Sequence, residues 1–220
     1  ASKVWRDNGI RIDPQQEAIV TAGAVEGLLL ILLAVLDPGD EVLLPDPGYT
    51  NFEGIIRVIN GVPVRVPVRE ENGFRLEAGE VEKAISERTR VMIVNSPANP
   101  TGAVLHRADL EALAELALRH NLLLIHDSAD TLGGSLRGRK TATRADISIT
   151  SFSIFHIITA LGNGGMVFFD DDALLDRALS LRAWGRSSEK YMFGTKVAES
   201  DGRFLESLDG LDRSEEHTSE

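Results

Sequence analysis

The chain contains no cysteine among its 220 residues, which excludes disulfides, thiolate nucleophiles and cysteine-held zinc or iron–sulfur clusters within it. Positive charge is in short supply. Lys and Arg number 23 against 34 Asp and Glu, a formal charge of −11, so no basic face is left to neutralise the phosphates of nucleic acid. Long apolar runs are missing too: Leu28 to Leu36 is the longest, far below the roughly 20 residues of a membrane-spanning helix. No secretory signal is recognisable, which makes the cytoplasm the expected location. Lysine is scarce, occurring only at Lys3, Lys83, Lys140, Lys190 and Lys196. The remainder, 43% hydrophobic and 26% charged residues, is an ordinary soluble composition with room for one sizeable domain.

The C-terminal stretch Arg213-Ser-Glu-Glu-His-Thr-Ser-Glu220 is similar to the translation of a sequencing adapter and is expected to be a non-native tail. Residues 1–212 then form one expected domain, incomplete at both ends, with no internal repeat and no linker.

Strand and helix patterns alternate along the chain, as in a doubly wound α/β sheet. Residues 24–36 predict an apolar helix, closed by Asp37-Pro38-Gly39-Asp40. Residues 41–44 predict a strand, 51–59 a helix, 62–68 an edge or short strand because of its prolines, and 81–85 part of a small helix. The apolar run 91–94 predicts a buried strand, and the apolar positions of 107–120 recur at helical spacing. Strands are expected at 122–125, 147–152 and 166–169. The last leads through Asp170-Asp171-Asp172 into a helix over 173–184. Residues 187–212 read as loop.

Ligands of open α/β sheets bind at the carboxyl ends of the strands, and the notable polar residues fall there. Gly23, Ala24 and Val25 open an apolar helix whose unpaired amides and dipole suit a phosphate. Tyr49, behind Pro47-Gly48, offers an aromatic face to a heterocycle or packs in the core. Asn99, in Asn95-Ser-Pro-Ala-Asn-Pro-Thr-Gly102, offers an amide to a phenolate oxygen or makes an ordinary turn. Asp127 can keep a pyridinium nitrogen protonated or cap a helix. Ser151 and Ser153 can bond a phosphate or cap the strand end. Gly162-Asn163-Gly164-Gly165 precedes a strand where a dinucleotide fingerprint follows one, so that motif is rejected.

The stretches Val20-Thr-Ala-Gly-Ala-Val-Glu-Gly27, Pro45-Asp-Pro-Gly-Tyr49 and Asn95 to Gly102 resemble the class I/II aminotransferases, enzymes of fold type I that use pyridoxal 5′-phosphate. The resemblance covers residues 12–127. It implies phosphate contacts from Ala24 and Val25, ring stacking by Tyr49, and ring contacts by Asn99 and Asp127. It also implies a homodimer acting on a small molecule. The family continues from its Asp with an acidic residue and a tyrosine. This chain has Ser128-Ala129-Asp130 instead.

From His126 onward the motifs change. Asp127 to Gly133, Ser151-Phe152, Leu161 to Gly165 and Ser180 to Arg186 resemble nucleotide-sugar aminotransferases. Among these they look most like the 4-keto-6-deoxy-sugar 3-dehydrases, which use pyridoxamine 5′-phosphate and a histidine in place of the cofactor-holding lysine. That register places His156 at the lysine position, as a catalytic base near neutral pH. The class I register places Ile154 there. The leading expectation is therefore a sugar 3-dehydrase acting on a nucleotide-sugar. An aminotransferase acting on an amino acid and a 2-oxo acid is the rival, and an inert or chimeric fragment retaining the fold the third reading. No metal ligand set is expected.

Overall fold

The computed structural model describes residues 18–129, 145–154, 156 and 159–183, and the backbone of 135–136 and 139–140. The elements are β1 (Ala18–Thr21), α1 (Ala24–Val35), β2 (Glu41–Asp46), α2 (Thr50–Val58) and β3 (Val62–Pro67). They continue as α3 (Ala78–Ala84), β4 (Thr89–Asn95), α4 (Arg107–His120), β5 (Leu123–Asp127), β6 (Ser135–Leu136) and β7 (Arg139–Lys140). β8 (Ile147–Ser151), β9 (Gly165–Phe169) and α5 (Asp172–Arg182) complete the described chain. β6 and β7 pair as a separate small hairpin.

The other strands form one seven-stranded sheet in the order β1-β9-β8-β5-β4-β2-β3. Pairings from β8 to β3 are parallel. β9 runs antiparallel to both its neighbours, β8 and β1. The architecture is the expected α/β fold with a mostly parallel sheet. β3, the strand carrying prolines, lies at one edge, where a missing backbone N–H costs no ladder bond.

Strand alternation divides the core in two. On one face Ile19, Val42, Leu44, Val91, Ile93, Ile125, Ile147, Ile149, Val167 and Phe169 pack under α1, α2 and α5. On the other, Leu43, Met92 and Val94 pack under α3 and α4. α1 is apolar almost all round because it is enclosed, touching the sheet, α2 and α5 together. Its Leu28, Ile31 and Leu32 are at most 2% exposed, each contributing roughly 1.5–3 kcal/mol by burial. The helix stops at Leu36, where the chain turns through Gly39 at φ 92°.

α4 spans the residues its periodicity predicts and ends at Asn121 in the left-handed conformation (φ 52°). Several boundaries differ from expectation. β5 ends at Asp127, two residues past the expected strand 122–125. Asp171 caps α5, its Oδ1 accepting from Leu174 N at 2.8 Å, so α5 begins at Asp172. β1, at the sheet's edge, has too few residues to show a period. Trp184, the stretch 187–212 and the tail 213–220 lie outside the described residues.

Candidate functional site

One row of residues organises the carboxyl edge of the sheet. Thr21, Gly165 and Ser151 are register partners across β1, β9 and β8. Asn95 and Asp127 are partners across β4 and β5, and Asp127 is opposite Ile149, two residues before Ser151. All five positions share the alternation of Ile19, Val167, Ile149, Ile125 and Ile93, so they lie on the face that α1 covers. Five adjacent strands thus place small or polar residues at the carboxyl edge of one face of the sheet. At about 4.8 Å between strands, the row is about 19 Å long.

At that helix end, Gly23 is the N-cap with φ 136° and carries no side chain to satisfy the first amides. Ala24 and Val25 therefore present N–H groups without intrahelical partners, at the positive pole of the helix. The Thr21 hydroxyl donates to Gly23 O at 2.8 Å, fixing the turn, and Ala22 N–H donates to the Glu26 carboxylate. Gly165 backs this turn so closely that a Cβ there would meet Gly23 C at 2.5 Å and Ala24 N at 2.7 Å. The Asn163 carboxamide lies over Gly23, 3.1 Å from where a Cβ would stand. The glycine-rich loop, unsuited to a dinucleotide, is thus the backing of the α1 turn.

Asp127 is 8% exposed, and its Oδ1 accepts from Ala129 N at 3.0 Å. Asn95 joins the neighbouring strand end to it. Its Oδ1 accepts from Asn99 N at 2.8 Å, and its Nδ2 reaches Asp127 O at 3.5 Å. The loop carrying Asn99 is thereby tethered one strand away from Asp127, with Asn99 itself exposed. Sequence reasoning places Asn95 in a motif but gives it no role of its own. A polar residue ending a buried strand, four before Asn99, is the signal for its tethering role. Tyr49 heads α2 beyond β2, a further strand away, half-buried and edge-on to Phe52 with centroids 5.3 Å apart. Its hydroxyl accepts from Asn51 Nδ2 at 2.8 Å.

Past β8, Ser151 is 4% exposed and its Oγ accepts from Ser153 N at 3.3 Å. Ser153 Oγ is 2.8 Å from Nδ1 of His156. The loop is closed at its base by Phe152 N to Gly164 O at 2.7 Å and Ala160 N to Phe152 O at 2.9 Å. Ile154, the alternative lysine position, is 68% exposed. Lys83, the one lysine whose side chain is described, sits on α3 and is paired with Glu80 on the far side of the sheet from α1. Beside the site, His126 points to the α3–α4 face by alternation. Its Nδ1 is buried without a hydrogen-bond partner, and burial pushes its pKa down. Among the described residues no group of three or more His, Asp or Glu is placed to hold a metal ion.

The donor set fits a phosphorylated pyridine. Unpaired amides and hydroxyls suit the anion at one end of the row, and a buried carboxylate suits a ring nitrogen at the other. Residues 1–148 match the family model described as aminotransferase class I and II, and the chain belongs to that family, within the fold type I superfamily that uses pyridoxal phosphate. The chain is 42% identical over 127 residues to the aspartate aminotransferase of Pyrococcus abyssi (strain GE5 / Orsay), covering 58% of this chain and 33% of that protein. It is 46% identical over 127 residues to the arginine–pyruvate transaminase of Pseudomonas aeruginosa, covering 58% and 32%. Among solved structures, the aromatic aminotransferase of Pyrococcus horikoshii OT3 superposes with TM-score 0.71 at 32% identity, over 84% of this chain and 51% of that one. The Thermus thermophilus aspartate aminotransferase with maleate gives 0.67 at 31%, over 84% and 48%. The chain thus spans about a third of the curated relatives' length and about half of the solved chains. Ser151, Ser153 and His156 lie beyond the stretch matched by the family model.

Proposed function

We propose that this chain is the cofactor-binding large domain of a pyridoxal-phosphate-dependent enzyme that moves an amino group between an amino acid and a 2-oxo acid, as a cytoplasmic homodimer. The observation that carries the reading is the row of Thr21, Gly165, Ser151, Asp127 and Asn95 on the face covered by α1. The aspartate, arginine–pyruvate and aromatic aminotransferase relatives support the amino-acid chemistry over the sugar chemistry expected from the later motifs.

When bound, pyridoxal phosphate supplies a carbonyl and a protonated ring able to take up electron density. Each residue then has a task. Gly23, by lacking a side chain, leaves the Ala24 and Val25 amides open to the phosphate, and Ser151 and Ser153 add hydroxyls. Buried Asp127 keeps a proton on the ring nitrogen, since a carboxylate in a poorly solvated site pairs strongly with a cation. Tyr49 covers the ring, and Asn99 donates to its hydroxyl oxygen. With no lysine anywhere in residues 141–189, His156 is the group that moves protons at the loop beyond β8.

The test is a spectral titration of the full chain with pyridoxal phosphate and with pyridoxamine phosphate, followed by borohydride trapping and peptide mapping. Binding of both, weakened at least tenfold by Asp127→Ala, is the expected result. A flat titration with both cofactors refutes the reading. A second reading, the nucleotide-linked 4-keto-6-deoxy-sugar 3-dehydrase, is favoured by the Ser153–His156 bond at a position without lysine. It predicts binding of pyridoxamine phosphate, no trappable lysine, and loss of a sugar hydroxyl on incubation with such a substrate.

A further inference from the structure

Ser128, the residue after the buried carboxylate, is tied to the neighbouring strand twice. β5 and β8 pair at three positions, the last of which joins Asp127 to Ile149. One step further, the Ser128 N–H donates to Ile149 O at 2.9 Å, and the Ser128 hydroxyl donates to the same oxygen at 2.7 Å. The backbone bond is open to any residue except proline, whereas the second needs a side-chain proton. Thr150, fully buried, adds a longer contact from its Oγ1 to Ser128 O at 3.4 Å. At 8% exposure, Ser128 makes its hydroxyl bond with little competition from water.

The double tie matters because of where Asp127 stands. It ends β5 with Asn95 of β4 on one side and Ile149 of β8 on the other. Its Oδ1 accepts from Ala129 N at 3.0 Å, so the carboxylate follows the path of the backbone through Ser128. Whatever holds Ser128 therefore holds the direction in which the carboxylate points. Direction counts, since hydrogen bonds prefer donor angles above about 150° and weaken steeply below about 120°. An ionised acid, which the class I/II pattern carries here, has no proton to give Ile149 O, so this tie comes with the serine of this chain.

Resting on the reading of Asp127 as the partner of a ring nitrogen, we propose that Ser128 is a positioning residue whose hydroxyl bond to β8 aims that carboxylate. Ser128→Ala keeps the charge of Asp127, the strand pairing and the backbone bond, and loosens only the turn that orients the side chain. The full chain loaded with pyridoxamine 5′-phosphate labelled with nitrogen-15 in its ring gives the test. The ring-nitrogen chemical shift, followed by NMR as a function of pH, reports protonation directly. In Ser128→Ala the pKa of the bound ring nitrogen should fall by about one unit, a tenfold loss of the protonated form. Ser128→Thr, which keeps the hydroxyl, should hold the parent value. Melting curves of both variants separate this effect from stability. A lower melting point for Ser128→Ala with an unmoved ring-nitrogen pKa overturns the proposal, as does an equal fall in Ser128→Thr. Asp127→Asn tells the two failures apart. If it abolishes ring protonation while Ser128→Ala changes nothing, only the role of Ser128 falls. If it leaves the ring nitrogen unchanged, the reading of Asp127 falls, and Ser128 with it.

Discussion

Gly165 is the position where a single methyl group tests both the fold and the site. An alanine Cβ there would stand 2.5 Å from Gly23 C, 2.7 Å from Ala24 N and 2.8 Å from Gly23 O. Ordinary contact begins near 3.4 Å, so about 0.9 Å must be found between β9 and the start of α1. All three atoms are backbone, so no rotamer change relieves the overlap. On the β9 side, Gly165 is held by pairing with Thr21 and Ser151. Overpacking costs roughly 1–3 kcal/mol, and a rigid backbone clash belongs at the upper end. At about 2–4 °C per kcal/mol for a domain of this size, Gly165→Ala should melt about 6–12 °C below the parent chain. Because Ala24 N is both a displaced atom and a proposed phosphate donor, affinity for pyridoxamine phosphate should fall more than affinity for pyridoxamine. Gly54 in α2 is the control, with nothing within 4 Å of an added Cβ. Gly54→Ala should gain roughly 0.5–1 kcal/mol through helix propensity. Thermal scans and cofactor titrations of both variants decide the matter. A Gly165→Ala melting point within about 2 °C of the parent would refute the close approach of β9 to the α1 turn.

Three further outcomes concern the polar groups. Glu41 is 5% exposed at the opposite, amino-end edge of the sheet. Burial would raise its pKa, but hydrogen bonds from Ser86, Thr89 and Arg88 outweigh that and hold it below the usual carboxylate range. Its stabilisation is therefore present above about pH 4.5 and lost as pH falls. Glu41→Gln should flatten that acid limb in urea titrations and cost about 1.5–3 kcal/mol at neutral pH. His126 behaves likewise from a different cause. With its pKa lowered by burial, its ionisation adds no penalty above about pH 6.5 and destabilises the fold below that. His126→Leu should thus protect the chain at pH ~5.5 more than at pH ~8, and equal effects at both would refute the assignment. Asp109 accepts from His106 N at 2.8 Å at the head of α4 and from Arg75 Nη1 at 2.8 and 3.0 Å. Asp109→Ala should cost about 2 kcal/mol in a denaturant titration, with Arg75→Ala recovering part of the same loss in a double-mutant cycle.

The legibility of each feature depends on the range over which its signal acts. Helix α4 and the buried strand around Ile93 are readable because their apolar period is local, and the prolines of Val62 to Pro67 mark an edge strand for the same reason. Boundaries at Asp127 and Asp172 slip because a polar residue ending a strand or opening a helix looks, in one dimension, like a loop. The pairing of β1 with β9 is out of reach: it joins Thr21 to Gly165 across 144 positions and leaves no periodic trace. In sequence, Gly165 shows only as the opening of a strand and Asn163 only as part of a glycine-rich stretch, since contact with the backbone of Gly23 cannot be inferred from spacing.

The same distinction separates the part of the site set by the sheet from the part set by a loop. Asp127 and Asn95 occupy one rung of a parallel ladder, so their relation tolerates change in the loops around it. Ser153 and His156 stand on a loop fastened at Phe152, Ala160 and Gly164, where residues can be exchanged without disturbing a strand. On the proposed reading, a sheet that keeps Asp127 while the loop carries histidine in place of lysine keeps the partner of the ring nitrogen and changes the group that moves the proton. The choice between the two chemistries then falls, on that reading, to the loop that carries Ser153 and His156 rather than to the sheet.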